Sequence, residues 1–225
     1  MMQKSVKKRA ARREPFDYYP TPKWCVDRLL ETGVLPANKT IWLEPSAGDG
    51  SIIRAVNSHM SIQSGQIYKA NCSWFAVEIQ PKFEQTLSAE IGQERVIIDN
   101  FLDLNPAEHF GVIPDVVIGN PPYNEALSFV KRSMDMEAKQ IAFLLRLGFL
   151  ASNERHSFLT ENTPDIYVLP NRPSFAKGKT DTSEYAWFVW THQGTINGYK
   201  NSAGKVRVLN TTSKDLRVKA KIKQV

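Results

Sequence analysis

Short apolar runs punctuate this chain at regular intervals, separated by stretches whose apolar residues recur at helical spacing. Ile41-Trp42-Leu43, Trp74-Phe75-Ala76-Val77, Val96-Ile97-Ile98, Val116-Val117-Ile118 and Ile141-Ala142-Phe143-Leu144-Leu145 are continuous rather than alternating. Such runs read as strands buried on both faces, the signature of a parallel sheet covered by helices. Between them, Trp24, Cys25, Leu29 and Leu30 mark a helix closed by Gly33, and Ser51-Ile52-Ile53 opens a second. Thr21 followed by Pro22 suits the cap and first position of the helix that carries Trp24. Residues 57–72 are polar and irregular and read as a loop or hairpin insertion. Pro81 starts a helix to about Ile91, and Asn105-Pro106 a short one. A helix over 124–137 buries Ala126, Leu127, Phe129, Val130 and Met134, and another begins at Ser152. A sixth strand spans 165–170. After a loop over 171–184, Tyr185-Ala186-Trp187-Phe188-Val189-Trp190 forms a last strand with aromatics on both faces. Alternating strands and helices of this kind give an α/β doubly wound sheet.

With 225 residues and 42% hydrophobic content, the chain fits one α/β domain with small additions. No apolar run approaches the ~18 residues of a membrane span. Cys25 and Cys72 lie far apart, and His59, His109, His156 and His192 are scattered, so no zinc site is expected. A reduced, cytoplasmic setting is the expectation. The net charge of +6 is uneven. Residues 1–13 carry six cations and no acid, and 214–225 carry five cations against Asp215, which leaves −4 for residues 14–213. Basic ends on an acidic body point to phosphate-binding arms.

Two turns carry the candidate chemistry. The first strand ends at Glu44, and Pro45-Ser46-Ala47-Gly48-Asp49-Gly50 leads sharply into a helix. Strand, glycine-rich turn and helix begin a nucleotide-binding unit. A dinucleotide site would place a third glycine at position 53, where Ile53 stands, so a ligand without a pyrophosphate fits better. The second strand ends in Glu78, an acid placed to bind ribose hydroxyls. The fourth strand ends in Asn120-Pro121-Pro122-Tyr123. Two prolines hold the backbone extended, so its carbonyls and the Asn120 amide can grip a planar group through an amino substituent beside the flat face of Tyr123. A rigid strand exit with no further role would use the same residues. In the long loop, Arg172, Phe175, Lys177 and Lys179 mix cations with an aromatic, as nucleic-acid contacts do.

Together, Glu44-Pro45-x-x-Gly48-x-Gly50 and Asn120-Pro121-Pro122-Tyr123, about 70 residues apart and in this order, resemble the S-adenosylmethionine-dependent DNA N6-adenine methyltransferases, and small phage-type members in particular. The resemblance covers residues 16 to 190. It implies a Rossmann-like class I methyltransferase with a seven-stranded, mostly parallel sheet and one antiparallel strand, the one at 185–190. The expected organisation is a methyltransferase catalytic domain over 14–191, flanked, from the charge distribution, by a disordered basic tail, 1–13, and a short basic extension, 192–225.

It further implies S-adenosyl-L-methionine as cofactor. Tyr19, Thr21 and Pro22 would line its methionine end, and Glu44 would face the methionine part. Pro45, Ala47, Gly48 and Gly50 would form the cofactor turn, Glu78 and Ile79 would lie at the ribose, and Phe101 beside the adenine. The family more often has Asp immediately before that Phe. Here Asp99-Asn100 precede it, so either residue could meet the adenine amino group. Asn120, Pro121, Pro122 and Tyr123 would act on a flipped-out adenine, with Tyr123, Arg172, Phe175, Lys177 and Lys179 contacting the substrate strand. RNA adenine methylation and protein glutamine N5-methylation remain alternatives, since release-factor glutamine methyltransferases share Asn-Pro-Pro-Tyr. After Trp190 only 35 residues remain, too few for a separate recognition domain. Target specificity is therefore expected to be short, relaxed or supplied by a protein partner, in the cytoplasm of a bacterium or phage-infected cell.

Overall fold

The computed structural model describes residues 19–36, 40–63, 72–104, 106–175, 181–194, 198–199 and 204–218. Lys177, Lys179, the basic residues of 1–13 and those beyond 218 lie outside them.

The strands are β1 (Thr40–Glu44), β2 (Cys72–Glu78), β3 (Val96–Ile98), β4 (Val116–Gly119), β5 (Gln140–Arg146), β6 (Asp165–Val168), β7 (Tyr185–Thr191) and β8 (Val206–Val208). The helices are α1 (Lys23–Leu30), α2 (Ser51–Gln63), α3 (Glu84–Ile91), α4 (Pro106–Phe110), α5 (Ala126–Asp135), α6 (His156–Glu161) and α7 (Lys214–Val218). One eight-stranded sheet results, in the order β3-β2-β1-β4-β5-β7-β6-β8. All neighbours run parallel except β7, which is antiparallel to both β5 and β6. Seven of these strands match the sequence expectation. The eighth, β8, pairs parallel with β6 through Ile166↔Val206 and Val168↔Val208. It is an exposed edge of three residues, too short to show a hydrophobic period. Among the described residues no helix is long and apolar enough to cross a membrane.

Because successive strand side chains alternate faces, β1 sends Trp42 to one layer and Leu43 to the other. Along β7, Tyr185, Trp187 and Val189 join the layer of α1, α2 and α3, while Ala186, Phe188 and Trp190 join that of α5. This strand is buried from Tyr185 to Trp190, so both faces need bulky apolar residues, as its sequence shows. The first layer also fixes the length of α2. Ile52, Ile53, Val56 and Met60 face it at helical spacing, so the helix continues to Gln63 through residues that read as loop from their polarity. Asn57, one of those polar residues, accepts a hydrogen bond from Trp74 Nε1 at 2.9 Å.

α2 follows β1 on one face and α5 follows β4 on the other, while β1 and β4 are neighbours. The chain therefore reverses direction of winding between them, and the carboxyl ends of the parallel strands β1, β2, β4 and β5 lie along one edge of the sheet, where open α/β sheets bind their ligands.

Candidate active site at the carboxyl edge of the sheet

The turn after β1 is built from the backbone outward. Ala47 N donates to Val77 O at 3.1 Å and Gly50 N to Ala47 O at 2.8 Å. Gly48 and Gly50 take φ of +53° and +77°, a region that side chains disfavour. At Gly50 a Cβ would also sit 3.3 Å from Leu87 Cδ2. Glu78, at the end of β2, holds this turn from beneath. One carboxylate oxygen accepts Gly48 N at 2.7 Å and the other accepts Gln80 N at 2.9 Å.

Glu44 is 2% exposed, and its Oε2 has no hydrogen-bond partner among the described residues. Burial pushes its carboxyl well above the usual range, and the charges of Asp49 and Glu78 push it further, against the Ile53 N–H and Arg54. Asp49 pairs with Arg54 Nη2 at 2.9 Å through one oxygen, while its Oδ1 is buried and unpaired. Three carboxyl groups thus converge on one turn, two of them with an orphaned buried oxygen. Buried polar atoms normally have partners, so such orphans mark where a ligand completes the structure. This donor-poor, acid-rich set fits a ligand bearing positive charge and hydroxyl groups.

Across the crevice stands Asn120. Gly119 before it lets β4 lie close to the first turn; a Cβ there would be 3.4 Å from both Pro45 Cδ and Phe143 Cε1. Thr21 departs from its expected capping role, since α1 begins after Pro22 without a side-chain cap. Instead the Thr21 hydroxyl accepts Asn120 Nδ2 at 3.2 Å, and Thr21 N donates to Ser51 Oγ at 3.2 Å. This contact fixes the amide. Asn120 Oδ1 is left buried and without a partner among the described residues.

Pro121 is buried and Pro122 exposed, and Pro122 O accepts Glu125 N at 3.0 Å, which turns the chain toward α5. Tyr123 forms the far wall. The Arg146 guanidinium lies over its ring at 4.6 Å, and the Tyr185 ring stands 5.7 Å away at 54°. Arg146 Nε donates to Tyr185 OH at 3.1 Å, and that hydroxyl donates to Asp181 Oδ2 at 2.9 Å. Burial raises the Tyr123 phenol far above its ordinary value, and its hydrogen bond to Tyr185 adds to this, so it stays neutral at any working pH. Burial alone would raise Asp181, but the Ser183 N–H, the Tyr185 hydroxyl and Arg146 hold it below the ordinary aspartate value.

The remaining predicted residues divide. Tyr19 is 44% exposed at the mouth, and Ile79 is 40% exposed beside Glu78. Asp99 N donates to Glu78 O at 3.1 Å, which brings the end of β3 to the same edge. The Asn100 side chain is spent locally, donating to Asp103 Oδ2 at 2.6 Å and accepting Leu102 N at 3.2 Å. Asp99 is exposed and, among the described residues, its side chain accepts only the next backbone N–H. Phe101 is buried against Phe129, with ring centres 5.1 Å apart, so its ring belongs to the core and offers no open face. Phe175 is 9% exposed, packed edge-on to Tyr185 at 5.1 Å and to Tyr19 at 6.4 Å. It supports the wall rather than presenting a platform. Arg172 is exposed and paired with Glu184 at 2.5 Å.

Arg146, Asp181 and Tyr185 were not among the expected site residues. Arg146 carried a readable signal, as the charged end of an otherwise apolar strand at the edge where Asn120 lies.

No family model matches the sequence, and no curated protein matches it. Solved structures do. The methyltransferase subunit of a type I restriction-modification system from Streptococcus thermophilus aligns with a TM-score of 0.61 and 14% identity, over 90% of this chain and 51% of its own. The fold is that of the Rossmann-like methyltransferases. The M protein of the type I restriction enzyme EcoKI aligns at 0.56 and 15% identity, over 80% of this chain and 46% of its own. The 23S rRNA methyltransferase ErmE aligns at 0.53 and 14% identity, over 83% of this chain and 73% of its own. The chain thus spans about half the length of the two restriction-modification subunits. Open α/β sheets bind ligands at the switch point, here between β1 and β4, and the orphaned oxygens of Glu44, Asp49 and Asn120 lie at that edge.

Proposed function

We propose that this protein transfers the methyl group of S-adenosylmethionine to the exocyclic N6 amine of adenine in DNA. The observation that carries the reading is the buried, unpartnered Oδ1 of Asn120, held in place by Thr21 and followed by Pro121, Pro122 and Tyr123. Adenine N6 is a poor nucleophile because its lone pair is delocalised into the ring. Asn120 Oδ1 and the Pro121 carbonyl each accept one N–H of that amine, which biases the nitrogen toward tetrahedral geometry and frees the lone pair. Positive charge grows on the nitrogen as the new C–N bond forms and the bond from methyl to sulfur breaks, so fixed acceptors stabilise the transition state more than the ground state. The sulfur leaves as a neutral thioether, and the surplus amine proton passes to solvent.

S-Adenosylmethionine, when bound, supplies a methyl group on a positively charged sulfur. Glu44 and Asp49 give the negative surroundings for its cationic methionine end, and Glu78 accepts from the ribose hydroxyls while bracing Gly48. Ile79 offers an apolar face to the adenine ring. Asp99 is the acceptor for that ring's amino group, because Asn100 is already committed to Asp103 and Leu102. A target base inside a duplex is out of reach, so it is flipped out to meet Tyr123. Flipping costs a few kcal/mol, and stacking returns ~1–3 kcal/mol.

DNA is favoured over RNA by the modification subunits among the similar folds, though an rRNA methyltransferase shares the fold too. Incubating the protein with methyl-labelled cofactor and either DNA or RNA, then digesting to nucleosides for mass spectrometry, tests the reading. Labelled N6-methyldeoxyadenosine is expected. Label on another base, on ribonucleosides alone or on protein would overturn it.

A further inference from the structure

The strand β5 is fully buried from Ile141 to Leu145 and then ends in Arg146, at the edge that carries Asn120. A cation at that position needs a reason. Its guanidinium carbon lies over the Tyr123 ring, 4.6 Å from the ring centre, and its Nε donates to Tyr185 OH. These two contacts hold the guanidinium in place. The four N–H groups on Nη1 and Nη2 make no hydrogen bond among the described residues, since Asp181 Oδ2 approaches Nη2 only to 3.7 Å. The side chain is 40% exposed, so this fork is open to an incoming group.

We infer that Arg146 binds a backbone phosphate of the nucleic acid whose base is presented to Asn120, with its face remaining on Tyr123. The inference rests on the proposed action on nucleic acid. A guanidinium fork matches two phosphate oxygens in one plane, which lysine cannot reproduce. Stacking on an aromatic ring leaves all the in-plane donors available. Asp181 opposes an anion here, but it already accepts the Tyr185 hydroxyl and Ser183 N. Its Oδ2 stands 3.7 Å from Nη2, so the bidentate phosphate contact has to offset that repulsion. Arg172, the rim cation named from the sequence, is neutralised by Glu184. Tying phosphate to the same ring that meets the base would link backbone position to base position through one residue pair.

The test uses the full chain and a fluorescent adenine-containing duplex, with salt titrations of binding by the wild type, Arg146→Gln and Arg146→Lys. One lost phosphate contact should reduce the slope of log affinity against log salt by about 0.9 in Arg146→Gln. Because the contact serves ground and transition states alike, KM for DNA should rise roughly tenfold with kcat nearly unchanged. Arg146→Lys should keep most of the salt slope while raising KM, since it keeps charge and loses the fork. Cofactor affinity should not change in either variant. An unchanged slope and KM in folded Arg146→Gln would overturn the inference and leave Arg146 as a prop for Tyr123. A wild type that neither binds nor methylates nucleic acid would instead show that the proposed function itself has failed.

Discussion

Replacing Asn120 with alanine separates the cost of holding a catalytic acceptor from its use. In the protein without ligand, Asn120 Oδ1 is buried with no partner, a condition that costs about 1–3 kcal/mol. The compensating bond from Nδ2 to Thr21 Oγ1, at 3.2 Å, contributes about 1 kcal/mol. Asn120→Ala removes both, so folding stability should change by no more than about 1–2 kcal/mol and can rise. The transition state loses an oriented acceptor, worth roughly 2.7–4 kcal/mol, and methyl transfer should fall about 10²- to 10³-fold. Thr21→Val makes a partner experiment. It keeps the acceptor but frees the amide to rotate and turn its NH₂ toward the amine, so a smaller loss, roughly tenfold, is expected. Single-turnover transfer from labelled cofactor reads the chemical step, thermal unfolding reads stability, and calorimetry reads cofactor affinity. A near wild-type rate in Asn120→Ala would refute the reasoning. So would a loss of rate matched by equal losses in stability and cofactor binding.

Glu78 braces Gly48, and the proposed function also sets it against the ribose, so the two roles are separated by comparing a cofactor analogue without ribose hydroxyls. The wild type should bind S-adenosylhomocysteine ~1.5–3 kcal/mol more tightly than its 2′,3′-dideoxy analogue, and Glu78→Gln should lose most of that difference; an equal difference in both proteins would assign Glu78 to the turn alone. Burial, chiefly, raises the Glu44 carboxyl well above the usual carboxylate range, and a cationic ligand favours its ionised form. Cofactor affinity should therefore rise about tenfold per pH unit as pH approaches the raised value from below and level off above it, whereas stability without cofactor should fall as pH climbs from the ordinary carboxylate value toward the raised one. Glu44→Gln should flatten both profiles.

The parallel strands were legible because burial on both faces leaves continuous apolar runs, and the two turns because each packs its chemistry into a few consecutive residues. β8 was not, since Val-Arg-Val at an exposed edge carries no period to read. The full length of α2 was hidden by Asn57, Ser58 and His59. Two of these serve neighbouring elements, Asn57 accepting Trp74 Nε1 and His59 meeting Asp27 Oδ1 at 3.2 Å. Met60 continued the buried stripe and was the usable signal. Phe175 read as a platform because an aromatic in a long loop is expected to be exposed. The antiparallel return of β7 brings Tyr185 against it and buries it.

Thr21 shows the limit most directly. A Thr-Pro pair before a helix satisfies every local rule for a cap, and Pro22 does stand at the helix entrance with φ −60° and ψ 134°. A cap needs the hydroxyl to accept a backbone N–H of the first turn. Here it accepts Asn120 Nδ2, a donor 99 residues away, while Thr21 N reaches Ser51 at the start of α2. Local capping chemistry is worth about 1 kcal/mol, so a tertiary bond of similar strength can replace it without cost to the helix. What decides between them is the position of β4 beside β1, which places Asn120 within reach of Thr21 and leaves its Oδ1 without a partner among the described residues.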